Sequence, residues 1–262
     1  MDIRHLLTAL LVFLAPLQLQ AETIRFTVQP ILEKEQTLSF YQPLVKYLEE
    51  ETGLEIKLSA SVNFLTYWQT MLGGEYDMVL DAAHFTDYRM ENLDYYPIAK
   101  VPGTVSYSLI TGPDLFIFEP TDLIGKKVAT AAPPSMGMVR LQELFPNPLR
   151  QPFIVESSNV EKALDMIQNE RVDAAIVPTP LLNNYPDFNV VTTTEAAPHV
   201  TFSVSPEISE ETRNKLQEAL LKAPSTEKGQ AMLQKINFPG FEKPNPENYS
   251  GFAGLLSETW GY

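Results

Sequence analysis

Gly73-Gly74-Glu75-Tyr76-Asp77-Met78-Val79-Leu80-Asp81 is the stretch that decides how this chain is built. The glycines stop a helix, and Tyr76–Leu80 follows as an apolar run with little alternation. Such a run is a strand covered on both faces, the kind a parallel sheet uses. Upstream, Phe64, Tyr67, Trp68, Met71 and Leu72 recur at helical spacing behind Asn63, a residue type that caps a first turn. Glu55–Ser59 reads as the strand before that helix. Phe40, Tyr41, Leu44, Val45 and Leu48 mark an earlier helix that Thr52-Gly53 closes. Thr23–Val28 is the first strand, stopped by Gln29-Pro30.

Downstream the same grammar restarts. Asp122-Leu123-Ile124-Gly125-Lys126-Lys127 leads into strand Val128–Thr130, and Pro133-Pro134-Ser135 opens a helix that runs to about Leu144. Phe153–Val155 is a strand, and Asn159 caps a helix with Val160, Ala163, Leu164 and Ile167 on one face. Glu170-Arg171-Val172-Asp173 then joins that helix to the strand Val172–Val177, as Gly74-Glu75-Tyr76-Asp77 does earlier. Val200–Val204 reads as a strand, Glu207–Lys222 and Thr226–Ile236 as helices, and a last helix starts near Asn248. The alternation predicts an α/β fold of two lobes, with parallel-rich sheets flanked by helices. Val101–Thr111 and His199–Val204 are expected to be two crossover strands acting as a hinge. The first lobe is then 22–105 plus 205–262, and the second is 106–204.

Composition narrows the function. The chain has 262 residues, 19 Lys+Arg against 33 Asp+Glu, a formal net charge of −14 and no cysteine. A polyanion would be repelled, so neither nucleic acid nor an anionic membrane is expected as partner. Without Cys there is no disulfide, thiolate metal site, Cys nucleophile or lipid-modified Cys. Leu6–Leu14 is an apolar run too short to span a bilayer, which needs about 20 residues. Pro16 ends it and Ala21 offers a small residue at a cut, so residues 1–21 read as a secretory signal peptide cleaved before Glu22. The expected product is exported to the periplasm, without a membrane anchor, and monomeric.

Ligands of open α/β sheets bind outside the carboxyl ends of the strands. That rule selects Tyr41, Tyr67, Asp81 and His84 in the first lobe. In the second it selects Ser135, Met136, Gly137, Ser158, Asn159 and Thr179, with Tyr107 at a crossover. The helix start at Ser135 would hold an anion through its hydroxyl and the Met136 and Gly137 amides; the alternative is that Ser135 merely caps the helix. Asp81 would take a cationic ligand group or cap the next helix. Tyr41, Tyr67 and Tyr107 would supply walls and hydroxyls. Asp81 and His84 are too few ligands for a metal, and no cofactor is called for. Gly-x-Ser-x-Gly, His-Glu-x-x-His and phosphate-loop motifs are all missing, which argues against an enzyme.

Four phrases in order carry a family resemblance: Tyr41-x-Pro43-Leu44-x-x-Tyr47-Leu48, Gly74-x-x-Asp77, Asp122-Leu123-x-Gly125-Lys126-x-Val128-Ala129 and Val172-Asp173-Ala174-Ala175. Over about residues 23–250 the chain resembles the phosphate/phosphite/phosphonate-binding group of exported solute-binding proteins that serve ABC importers. The resemblance implies a type 2 periplasmic-binding-protein fold that closes by a hinge on a small-molecule ligand and delivers it to an ABC permease. It also implies a hydroxyl-rich Ser-Thr-Ser-Gly-like run at the second-lobe helix start, where this chain reads Pro134-Ser135-Met136-Gly137. With Asp81 nearby, the expected ligand is a phosphonate- or phosphate-like anion or an aminophosphonate-like zwitterion. The alternatives are a periplasmic ligand-binding partner of a sensor and a metal-handling protein.

Overall fold

The computed structural model describes residues 23–257. The signal-peptide reading of residues 1–21 lies outside them. The first sheet has the order β2-β1-β3-β12-β4. Its strands are β1 (Thr23–Val28), β2 (Glu55–Ala60), β3 (Met78–Asp81), β4 (Tyr96–Lys100) and β12 (Thr201–Val204). β1 runs parallel to β2 and β3, whereas β12 is antiparallel to both β3 and β4. The second sheet has the order β10-β6-β9-β7-β8. It contains β6 (Tyr107–Thr111), β7 (Lys127–Ala131), β8 (Phe153–Ser157), β9 (Ala174–Pro178) and β10 (Asn189–Thr193). Here β7 is parallel to β8 and β9, and β6 is antiparallel to both β9 and β10. Each sheet therefore has four strands running one way and a single strand, β12 or β6, running against them.

Helices cover both sheets. α1 (Lys34–Thr52) starts earlier than the apolar spacing suggested, because Glu33 and Gln36 form a reciprocal cap there. It ends where Gly53 turns left-handed at φ 71° and its N–H reaches the Glu49 carbonyl. α2 (Phe64–Leu72) is capped by Asn63 and α5 (Val160–Gln168) by Asn159, as their sequences predict. α3 (Ala83–Asn92) follows β3, and α4 (Met136–Leu144) follows β7. α6 (Glu210–Lys222) and α7 (Glu227–Lys235) pack on α1. They bury Leu216, Leu220, Leu233 and Ile236 against Ile24, Phe26, Leu44 and Leu48. Each such side chain contributes about 1.5–3 kcal/mol when fully buried.

Neither expected crossover is one continuous strand between the sheets. Pro102 and Gly103, the latter at φ 79°, break the first. Its later half is β6 of the second sheet, and β12 belongs wholly to the first. The pair that spans the junction is short: β5 (Thr104–Val105) antiparallel to β11 (Ala197–Pro198). Among the described residues the predicted last helix begins instead as two tight turns, Pro246–Tyr249 and Phe252–Leu256, separated by Gly251 at φ 90°.

Candidate functional site at the lobe junction

α4 begins at the carboxyl end of β7 and meets the first lobe there. Ala82, Ala83, Met136, Val139, Ala197 and Tyr249 form one buried apolar cluster drawn from both lobes. Ala131, the last residue of β7, packs into a first-lobe cluster with Tyr67, Trp68 and Phe85. Polar bonds cross the junction too. His84 Nε2 lies 2.8 Å from the Pro134 carbonyl oxygen. A carbonyl only accepts, so Nε2 carries the proton. Burial lowers the His84 pKa to about 4, so the ring is neutral near pH 7. At another edge, Glu33 Oε1 accepts from Ser158 Oγ at 3.1 Å and Asn159 Nδ2 at 3.3 Å.

Asp81 does not wait for a ligand cation. Arg89 Nη1 and Nη2 each donate to its carboxylate at 2.5 Å, and the Tyr67 hydroxyl donates to it as well. Both charged side chains are completely buried. Burial by itself would lower the Arg89 pKa, but the Asp81 charge holds it above the ordinary value. This pair corrects two expectations. Asp81 meets a cation of its own chain, and Tyr67 is its hydrogen-bond partner inside the first lobe, not a ligand wall. A ligand amine therefore has no free carboxylate to meet at Asp81.

Tyr41 is also placed away from the junction. Its ring is buried in the first-lobe core, edge-on to Phe40 and Phe238. Thr179 is occupied by Ser106 and Ser108 hydroxyls, each at 2.9 Å, and ties the end of β9 to β6. Ser135 donates to the Ala131 carbonyl at 2.7 Å and accepts from the Met138 amide at 3.2 Å. It therefore acts as the cap. Ser135→Ala is expected to cost about 1 kcal/mol of stability. Thermal unfolding checks that, and anion titration of the same variant should show little loss of affinity.

Beside the start of α4 the remaining selected residues are His84, Tyr107, Met136 and Gly137, while Ser158 and Asn159 are held by Glu33 at the other edge. A helix start leaves its first amides without intrahelical acceptors, so Met136 and Gly137 present N–H groups at the positive end of α4. Gly137 is needed there: a Cβ at this position would come within 2.9 Å of Thr130 Oγ1. Tyr107 packs against the junction cluster, and burial raises its hydroxyl pKa. Arg140, one turn into α4, was not selected from the sequence. It is buried, and its Nη1 donates to Glu143 Oε2 at 2.6 Å. The arrangement suits a small oxyanion.

A groove of about 760 Å³ lies elsewhere, beyond the end of α5, lined by Asp114, Glu170, Asp173 and Asp187 beside Tyr185 and Phe188. Its charged lining is all acidic, so it repels an anion. Among the described residues no group of three or more His, Asp or Glu side chains could hold a metal ion. No helix among them is long and apolar enough to cross a membrane.

The family described as "ABC transporter, phosphonate, periplasmic substrate-binding protein" matches residues 26–249. No curated protein sequence matches. Among solved structures, the chain is similar to PhnD1 from Prochlorococcus marinus in complex with methylphosphonate. That match has a TM-score of 0.78 and 11% identity, covering 91% of this chain and 98% of that one. A binding protein component of an ABC phosphonate transporter from Pseudomonas aeruginosa gives a TM-score of 0.77 at 15% identity, covering 90% and 85%. XAC2383 from Xanthomonas citri bound to ATP gives 0.74 at 13% identity, covering 91% and 98%. At these identities the structures speak for the fold, and the two-lobed architecture is shared. A substrate-binding family carries no catalytic step, in keeping with the missing enzyme motifs. With the family matched over nearly the whole described chain, the protein belongs to the phosphonate periplasmic substrate-binding proteins of ABC transporters.

Proposed function

We propose that this chain is the exported, freely diffusing component of an importer. It takes a small phosphonate- or phosphate-like anion between its lobes and presents the closed form to a permease. The observation that carries this reading is the position of α4. Its N-terminal amides sit at the junction, with His84 of the opposite lobe bonded to Pro134 just before the helix. Among the described residues the lobes are 23–105 with 199–257 and 106–198, hinged at the β5–β11 pair, which moves β12 from the second lobe, where 106–204 would put it, to the first. The absence of cysteine supports a protein without a lipid tether, and the family supports a periplasmic location. It works as a monomer. The methylphosphonate in the Prochlorococcus marinus structure supports the ligand class.

Because Asp81 is neutralised by Arg89, a simple anion needs no amine to bind. Isothermal titration with methylphosphonate, phosphate and aminoethylphosphonate tests the reading. Binding of methylphosphonate or phosphate at least as tight as that of the amine-bearing ligand is expected. No heat from any of the three would overturn the ligand class.

A further inference from the structure

Among the described residues, few buried polar side-chain atoms lack a hydrogen-bond partner, and His84 Nδ1, Thr130 Oγ1 and Arg140 Nε are three of them. A buried donor or acceptor left unpaired is unfavourable, so each such atom in a native fold asks for an explanation. These three share one place. Thr130 lies under the first turn of α4, beside Gly137. His84 stands over that same turn through its bond to Pro134. Arg140 is four residues after Met136, on the helix face that Met136 turns to the first lobe. Glu143 Oε2 engages only its Nη1, and Nε is left without a partner. The Arg140 Cζ sits 5.7 Å from the centre of the Phe252 ring, which itself packs on the junction cluster. The Arg140 charge also acts on both His84 and Tyr107.

The two orphan nitrogens differ in kind. Arg140 Nε is always a donor, as a guanidinium has no acceptor. His84 gives its proton to Pro134 from Nε2, so in the neutral ring Nδ1 is a bare acceptor. The charged groups acting on this ring are Asp81, Arg89 and Arg140. Burial keeps it neutral among them. An anion with no proton satisfies Arg140 and the helix amides but meets the His84 lone pair unfavourably. An anion with one P–OH group satisfies all of them.

We propose that Arg140 and His84 make the junction selective for a monoprotonated oxyanion. Arg140 Nε–H and the Met136 and Gly137 amides hold its charged oxygens, and His84 Nδ1 accepts the hydrogen bond from its P–OH. This rests on the phosphonate- or phosphate-like ligand class proposed above and adds the protonation state. The hydroxyl-poor Pro134-Ser135-Met136-Gly137 start then has its counterpart in the guanidinium one turn on.

The test compares methylphosphonate with methanesulfonate, which has the same shape but no acidic proton to offer, by calorimetric titration at mildly acid pH. Methylphosphonate is expected to bind about 100-fold more tightly or better, because a site built around a ligand hydroxyl rejects an analogue without it. Arg140→Gln should weaken methylphosphonate binding by about 100-fold, with Arg140→Lys in between, since a lysine keeps the charge but not the fork. His84→Phe should bring the two ligands' affinities together. Thermal melts of each variant separate a binding loss from a folding loss. Equal affinity for the two anions in the unaltered protein, or full methylphosphonate affinity in Arg140→Gln, overturns the proposal while leaving the ligand class standing. Failure of the unaltered protein to bind methylphosphonate or phosphate overturns both.

Discussion

Arg89→Ala is expected to cost about 3–5 kcal/mol of folding stability, the loss that follows when one partner of a buried ion pair is removed. The substitution leaves the Asp81 carboxylate at the end of β3 with only the hydroxyls of Tyr67 and, at 3.5 Å, Thr86. Neither carries a positive charge, and Asp81 is fully buried. The pair as a whole is a different matter. Two charges taken out of water lose hydration that their attraction only roughly offsets. The double variant Asp81→Leu with Arg89→Met should therefore retain much more stability than Arg89→Ala alone. Urea unfolding of the three proteins reads this directly. A single-variant loss below about 1 kcal/mol would show that Asp81 is solvated or paired elsewhere.

Val139→Asp is expected to act on closure while sparing the fold of each lobe. Val139 is buried in the cluster built from Ala82, Ala83, Met136, Ala197 and Tyr249 and belongs to neither sheet's core. An aspartate there is solvated when the lobes are apart and unpaired when they meet. Burying such a group costs at least a few kcal/mol. The closed population falls accordingly, and apparent affinity falls with it, by about 100-fold or more. Anion titration shows the loss, and a single cooperative unfolding transition shows that the lobes remain folded. Unchanged affinity would mean that the apolar contact plays no part in ligand capture.

Much of the architecture was legible because local signals agree with the fold. Asn63, Asn159 and Ser135 each cap the helix their positions predict, and Gly53 ends α1 in the left-handed turn that only its lack of a side chain makes easy. The parallel strands announced themselves as short apolar runs. β4 and β10 did not. Pro97 interrupts β4 where its register with β12 shifts, and β10 is an edge strand with a bulge between Val190 and Thr192. An edge strand needs no continuous apolar face.

The candidate site was harder to read, because it depends on partners that spacing does not reveal. Asp81 drew notice as a buried acid, yet its partner is eight residues on, well inside α3. Arg140 sits mid-helix, where a basic residue ordinarily reads as solvent-facing. Tyr41 and Tyr67 are aromatic residues near strand ends, and their rings turn inward. Nothing in the sequence tells a wall from a core residue at such positions. Glu33, which bonds Ser158 and Asn159 across the junction, is one of 33 acidic residues and carries no local mark.

The central claim is that a small oxyanion drives these two lobes together through its greater affinity for the closed form. Small-angle X-ray scattering of the protein, ligand-free and with saturating methylphosphonate, measures it most directly. A larger radius of gyration is expected without ligand and a contraction as methylphosphonate is added, with Val139→Asp staying expanded at the same ligand concentration. A radius that does not change while calorimetry records saturable binding would contradict it, because the anion would then be bound without closing the lobes.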